Sequence, residues 1–148
     1  MKRVLFVFSM LMLLSVTCWA QMGNTAALSP SVAGTVHPNP YNFPGRQFPR
    51  IEADNKVTFQ FSAPTAEKVQ VAIAGTARDM TKGDGGVWTY TTPEPQDLGY
   101  HNYWMVVDGA VVVEPYVETF IGYSHMCNGF EVADPNGGFY EMKQDVPH

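Results

Sequence analysis

The chain has 148 residues, of which 45% are hydrophobic, 13% aromatic and 16% charged, and its net charge is −5. This length suits one domain, and the aromatic content excludes a disordered chain, because disordered chains lack the residues that build a core. An acidic protein repels phosphate backbones, so nucleic acid is excluded as the expected partner. Thirteen glycines and eleven prolines favour many turns and few long helices.

Residues 1–20 have the pattern of a secretory signal peptide. Lys2 and Arg3 precede an apolar run, and small residues at its end predict cleavage after Ala20. The run is too short for a permanent membrane span. We therefore expect a secreted or periplasmic protein, with an uncleaved anchor, or a lipoprotein that begins at Cys18, as alternatives. Loss of Lys2 and Arg3 takes the net charge from −5 to −7.

Three further segments follow the leader. Residues 21–49 contain five prolines and no apolar periodicity, which predicts a flexible segment. Residues 50–132 contain runs that either alternate polar and apolar residues or are rich in β-branched and aromatic residues, and both patterns are typical of strands. Residues 133–148 have neither pattern, which predicts an exit linker. The predicted strands are Lys56–Phe61, Lys68–Ile73, Val87–Thr92, Gly99–Val107, Val111–Val113, Glu118–Ile121 and Gly129–Val132.

The strongest local signal is Asp108-Gly109, which separates two valine-rich runs. Both residue types accept the positive φ angles of a type I′ turn, so the pair predicts a two-residue β-hairpin. No stretch shows a convincing amphipathic helix. Six to eight short strands with regularly spaced turns predict an all-β fold, an antiparallel β-sandwich.

Several short motifs occur in an order and at a spacing that resemble a known family. The chain is similar to the early-set immunoglobulin-like domain, related to carbohydrate-binding module family 48, at the N terminus of secreted Bacteroides-type esterases. Those enzymes include the feruloyl and acetyl-xylan esterases of carbohydrate esterase family 1. The motifs are Pro49-Arg50-Ile51, Val57-Thr58-Phe59, Ala63-Pro64-Thr65-Ala66, Lys68-Val69-Gln70-Val71, Asp79-Met80-Thr81, Gly86-Val87-Trp88-Thr89, Gly99-Tyr100-His101, Tyr103-Trp104, Val107-Asp108-Gly109 and Glu118-Thr119-Phe120.

The resemblance implies an immunoglobulin-like early-set β-sandwich whose exit linker leads to a catalytic α/β-hydrolase domain missing from this chain. The implied function is a non-catalytic accessory module that docks on or positions that domain in an enzyme of plant-polysaccharide degradation, with no cofactor. One alternative is a free-standing carbohydrate-binding module for xylan-type or other glycans. Another is a fragment without activity of its own.

The residues themselves argue against catalysis. Ser124 lies in Gly122-Tyr123-Ser124-His125-Met126, which lacks the final glycine of a nucleophile elbow, and no helical pattern follows it. Cys127 has His125 two positions away, but no third group is in place to orient that base, so we expect a small buried side chain. The histidines lack metal-ligand spacing, and no metal site is predicted.

Aromatic side chains are the candidate contacts, because sugars stack on flat rings. Strand alternation predicts a buried Tyr103, with Trp104 and Tyr100 on the opposite, outward face. Trp88 is likewise predicted to lie in the core, and His101 to be packed and hydrogen-bonded. The turn-rich segment 114–126 adds the aromatic candidates Tyr116, Phe120 and Tyr123.

Glycogen-binding members of the related module family carry tryptophans in two loops. Here the corresponding positions are residues 74–80, which lack tryptophan, and Val111. The resemblance therefore implies no binding of starch or glycogen, and it favours Trp104 as a contact with the catalytic domain. Because segment 114–126 is turn-rich and dense in aromatic residues, we expect it to lean toward that domain as well.

Overall fold

The computed structural model describes residues 33–122 and 124–136. The predicted signal peptide and its cleavage site, most of the exit linker, and Tyr123 lie outside them. Within the described residues, no helix has the length and apolar character needed to cross a membrane. Eleven strands and one short 3-10 turn (Asp84–Gly86) make up the regular structure of residues 33–122 and 124–136. The strands are β1 His37–Pro38, β2 Arg50–Ile51, β3 Val57–Ser62, β4 Val69–Ile73, β5 Thr76–Asp79, β6 Thr81–Lys82, β7 Val87–Thr91, β8 Gly99–Val107, β9 Ala110–Val112, β10 Thr119–Gly122 and β11 His125–Val132.

The strands form two antiparallel sheets. The five-stranded sheet has the order β1-β2-β3-β7-β6, and the six-stranded sheet has the order β10-β11-β8-β4-β5, with β9 paired to β8. The predicted all-β, immunoglobulin-like antiparallel sandwich is confirmed. The predicted hairpin is also confirmed, since Asp108 and Gly109 have φ angles of 48° and 89° and connect β8 to β9.

The core lies between the sheets and is built by alternation along the longest strands. Phe59 of β3 packs against the rings of Tyr103 and Phe130, with centroids 5.0 and 5.7 Å apart. Trp88 is buried and donates its indole N–H to the Ala63 carbonyl at 2.9 Å. The predicted burial of Trp88 and Tyr103 is therefore correct, and their removal from water is a main source of stability.

The described part of the segment predicted to be flexible, residues 33–49, belongs to the fold. The side chain of Asn39, next to β1, is buried and donates from Nδ2 to the Gly129 carbonyl on the other sheet at 2.9 Å. The Glu131 amide donates to Asn39 Oδ1 at 3.3 Å. A single buried asparagine therefore joins the two sheets at their edge. The ordered structure therefore begins before residue 50, the predicted boundary. The sequence does not reveal this, because the contact joins residues about ninety positions apart and leaves no local periodicity.

Candidate functional site

The predicted contact residues lie in three places. The first is the Trp104 cleft, about 760 Å³ in volume, lined by Trp104, Val111, Val112, Val113, His125 and Met126. The second is an aromatic cluster of Tyr41, Tyr100 and Phe120. The third is the Glu114 pocket, about 340 Å³, whose lining includes Arg46, Gln47, Gln60, Phe61, Glu114 and Tyr116. Tyr123 lies outside the described residues.

The Trp104 cleft follows from the strand pairing. Residues 99–103 of β8 pair with β11, and residues 105–107 pair with β9. Trp104 lies where β8 changes partner, so its half-buried side chain borders the gap between the two neighbours. Its indole N–H donates to the Met126 carbonyl at 2.8 Å. This bond fixes the ring across the gap.

The Trp104 cleft is mainly apolar. Val111 and Met126 on its walls are 67% and 50% exposed, and among its lining side chains His125 is the one with a polar group other than the indole. Sugar sites need several polar partners for hydroxyl groups as well as an aromatic ring. Exposed apolar surface of this kind is typical of sites that contact a protein, a membrane or an apolar ligand.

Tyr100 is 43% exposed and does not line the Trp104 cleft. Its ring packs edge-on against Tyr41 and Phe120, with centroids 5.8 and 5.4 Å apart. It also covers Gly129, where an added Cβ would lie 2.4 Å from the ring. Desolvation raises the pKa of the Tyr100 hydroxyl to about 12. The ring therefore has a packing role on the outer face of the six-stranded sheet.

Tyr41 ties this cluster to the strand below it. Its hydroxyl donates to Glu131 Oε2 at 2.6 Å, and burial together with that carboxylate raises the pKa of the Tyr41 phenol. No sequence pattern singles out Tyr41, since it lies in the proline-rich segment that was predicted to be flexible.

The Glu114 pocket opens between residues 45–48, the end of β3 and the loop that follows β9. Glu114 is buried, with 7% of the residue exposed, and its Oε2 has no hydrogen-bond partner in the described part of the chain. Desolvation raises the pKa of this carboxyl to about 7, although the Tyr116 backbone N–H and the Arg46 charge act in the opposite direction. At the rim, the Arg46 guanidinium carbon lies 3.5 Å from the centroid of the Tyr116 ring.

Asn128, fully buried on β11, holds the loop that carries Glu114. Its Oδ1 accepts from the Glu114 amide, and its Nδ2 donates to the carbonyls of Glu114, Val117 and Glu118 at 3.1, 3.1 and 3.2 Å. Four backbone contacts from one side chain fix the loop against the sheet. The sequence did not single out Glu114 or Asn128; the only available signal was an acidic residue between a valine run and a proline.

The residues considered for catalysis occupy structural positions. Ser124, with a φ of 63°, lies in the turn between β10 and β11, so a strand follows it rather than the helix of a nucleophile elbow. Cys127 is buried, and its thiol donates to Asn102 Oδ1 at 3.3 Å. Burial raises the pKa of this thiol, which opposes a nucleophilic role. His101 stacks on Phe130 at 4.8 Å and is hydrogen-bonded to the Asp97 carbonyl, as predicted.

Comparison with known proteins finds a relative that is a much longer enzyme. No protein-family model matches the chain. The endo-1,4-beta-xylanase/feruloyl esterase of Xylanibacter ruminicola is 33% identical to it over 114 residues. That match covers 75% of this chain but 16% of the relative, so the chain spans a small part of the length of the relative.

The chain is also similar to segments of two solved structures. A pullulanase from Anoxybacillus sp. LM18-11 matches 64% of this chain and 14% of its own, with a TM-score of 0.43 and 24% identity. The apo pullulanase from Klebsiella pneumoniae matches 55% of this chain and 10% of its own, with a TM-score of 0.42 and 23% identity.

Proposed function

We propose that this chain is a non-catalytic accessory module of a secreted enzyme that removes ester groups from plant polysaccharide. The observation that carries the proposal is the match to one segment, 16% of the length, of a xylanase/feruloyl esterase. The module corresponds to the early-set domain that precedes an α/β-hydrolase domain in esterases of carbohydrate esterase family 1. Its work is to position or complete that catalytic domain, outside the cytoplasm.

The Trp104 cleft is the surface that we assign to the catalytic domain. Its valines and Met126 offer exposed apolar area, which becomes favourable when a second surface removes it from water, at about 25 cal/mol per Å². The occupant is expected to be an apolar segment of the hydrolase domain or of the linker that leads to it. Segment 114–126 contributes to the same contact through its C-terminal end, where His125 and Met126 lie.

A chimeric enzyme tests this docking role. The 114-residue matching segment of the Xylanibacter ruminicola enzyme is replaced with that of this chain, with and without Val111→Lys. The lysine places a charge in the cleft, and we expect it to lower the temperature at which esterase activity is half lost. Val36→Lys is the matched control, because Val36 is also an exposed valine (56%) and does not line the cleft.

Equal inactivation temperatures for the two lysine variants would contradict the docking role. Melting of the isolated modules serves as a further control. Both valines are exposed, so neither substitution is expected to change the stability of the module itself by more than about 0.5 kcal/mol.

The alternative, a free-standing carbohydrate-binding module, uses Trp104 and Tyr100 as its stacking surface. Trp104 favours it in one respect, since an indole at the edge of a cleft is a suitable ring for a sugar face. Calorimetric titration with xylo-oligosaccharides and malto-oligosaccharides separates the two functions. The alternative requires binding that Trp104→Ala abolishes, whereas the docking module requires that this substitution leave sugar binding unchanged.

A further inference from the structure

Two asparagines of the chain are each followed by a glycine. Asn128-Gly129 lies within β11, and Asn136-Gly137 follows the end of that strand. Such pairs are prone to spontaneous deamidation, because glycine has no Cβ to keep its backbone nitrogen away from the preceding side chain. The two pairs share this local chemistry and differ in their surroundings, so a comparison between them isolates the influence of the fold.

Asn128-Gly129 is held in the core. Asn128 is fully buried, its Oδ1 accepts from the Glu114 amide, and its Nδ2 donates to three backbone carbonyls. Gly129 is paired with Asn102 of β8, and its carbonyl accepts from Asn39 Nδ2. Rotation of the Asn128 side chain toward the Gly129 nitrogen would break its hydrogen bonds. Deamidation of Asn128 therefore requires that this part of the sandwich first opens.

Asn136 has the opposite surroundings. It is exposed, and it forms a turn with Pro135 after the last strand, where Asp134 and Pro135 are exposed as well. Its backbone N–H donates to Asp134 Oδ1 at 2.8 Å, a local turn contact of the main chain. Within residues 33–122 and 124–136, no hydrogen bond holds its side-chain amide. Water reaches this side chain without any opening of the fold.

We propose that Asn136 is a site of spontaneous deamidation, which converts it to aspartate and isoaspartate. The Gly137 backbone nitrogen gives up its proton to hydroxide and attacks Cγ of Asn136, so that a new C–N bond forms. The bond between Cγ and the side-chain nitrogen breaks, and this nitrogen takes up a proton from water and leaves as ammonia. A five-membered succinimide ring remains.

Hydrolysis of the ring completes the reaction. Water adds to one of the two ring carbonyl carbons and breaks the bond between that carbon and the ring nitrogen. Opening at Cγ gives aspartate, whereas opening at the main-chain carbonyl gives isoaspartate. In sum, water is consumed and ammonia is released, and no other reactant takes part.

The modification changes the segment through which the chain leaves the sandwich. It adds a negative charge near Asp134, in a chain whose net charge is already −5. Isoaspartate also adds a methylene group to the main chain, which then runs through the former side chain. In the enzyme proposed above, the connection to the catalytic domain would change as the protein ages. That consequence rests on the proposed function, whereas the modification itself does not.

Prolonged incubation of the purified folded chain at pH 8, followed by mass spectrometry of its peptides, tests the proposal. Chymotryptic cleavage after Phe130 separates the two asparagines, and chromatography separates aspartate from isoaspartate products. We expect Asn136 to be converted at least about tenfold faster than Asn128, because Asn128 reacts only from an opened state. In guanidinium chloride the two rates are expected to agree within about threefold. A tenfold difference that persists there would overturn the role assigned to the fold.

Two glycine variants test the chemistry. Gly137→Ala is expected to slow the conversion of Asn136 at least about tenfold, because a Cβ hinders the approach of the attacking nitrogen. Gly138→Ala is the matched control, since Gly138 does not follow an asparagine, and it is expected to change the rate by less than about twofold. An Asn136 rate that does not exceed that of Asn128 in the folded chain overturns the proposal, and so does a rate that Gly137→Ala leaves unchanged. Neither result bears on the chimera experiment, so this proposal and the docking function fail separately.

Discussion

Consecutive residues line the Trp104 cleft and the Glu114 pocket, yet the two sites differ in polarity. Val113 lines the cleft and Glu114, the next residue, lines the pocket. The cleft is walled by valines and Met126 and has few polar groups, whereas the pocket holds a buried acid, an arginine and two amides. The loop that follows β9 therefore separates a mainly apolar cleft from a pocket lined by charged and amide side chains. Substitutions that affect one and spare the other can test this division.

The largest expected effect is that of Asn128→Ala, which removes the contacts that hold the Glu114 loop. Three backbone carbonyls and one amide lose their partner, and we expect the free energy of unfolding to fall by about 3–5 kcal/mol. Chemical denaturation measures the change. Asn102→Ala, on β8, is the matched control and is expected to cost about 1 kcal/mol. Similar losses in the two variants would contradict the assigned role of Asn128.

Gly129→Ala is expected to destabilise the chain by about 1–3 kcal/mol, because the new methyl group would enter the space of the Tyr100 ring. A double-mutant cycle checks the cause. In a Tyr100→Ala background the same glycine substitution is expected to cost clearly less. If the cost were unchanged, the ring would not be the obstacle, and Tyr100 would again be a candidate for external contact rather than packing.

Glu114→Gln is expected to change how stability depends on pH. The folded chain holds the Glu114 proton up to a pKa of about 7, above the ordinary value of 4.5, so the unfolded chain binds fewer protons between these values. Wild-type stability therefore falls as pH rises through this window, by about 2–3 kcal/mol between pH 5 and pH 8, and the glutamine variant lacks this part of the loss. Melting at pH 5 and pH 8 measures it. Parallel changes in both proteins would show that another group is responsible.

The smallest effect is expected for Trp104→Phe, which keeps the apolar wall of the cleft but removes the indole N–H. The loss of its bond to the Met126 carbonyl is expected to cost about 1 kcal/mol, measured by chemical denaturation. Trp88→Phe is the comparison, since it removes a similar bond to the Ala63 carbonyl from a side chain that is itself buried in the core. The core substitution is expected to cost more, and the reverse order would contradict the assignment of Trp104 to the surface.

The sequence predicts the long strands well and the short ones poorly. β8 matches its predicted bounds, Gly99–Val107, because nine residues with aromatic and β-branched side chains on both faces are a clear strand signal. β5 and β6 were not predicted: β5 is short and exposed at every position, and β6 has two residues. Edge strands of this kind bury no face, so they carry no hydrophobic pattern.

The candidate sites show the same limit. Trp104 was selected because one strand face was outward, and the structure places it beside a cleft that arises from a change of strand partner. No pattern within β8 reveals that change. Arg46, Gln60 and Glu114 come from three separate segments, and only the fold brings them together. Tyr116 was selected from the sequence as part of an aromatic loop, without its guanidinium neighbour.

The bridge made by Asn39 bears on how this module can be transferred between enzymes. Its side chain bonds to Gly129 on one sheet while its backbone amide donates to the Pro49 carbonyl beside the other. A recombination point placed at the first long strand, β3, would separate the asparagine from Gly129 and leave the edge between the sheets open to water. Gene fusions that preserve the fold are therefore expected to carry residues 37–51 together with the sandwich. We therefore expect the proline-rich segment before β3 to be inherited together with the sandwich.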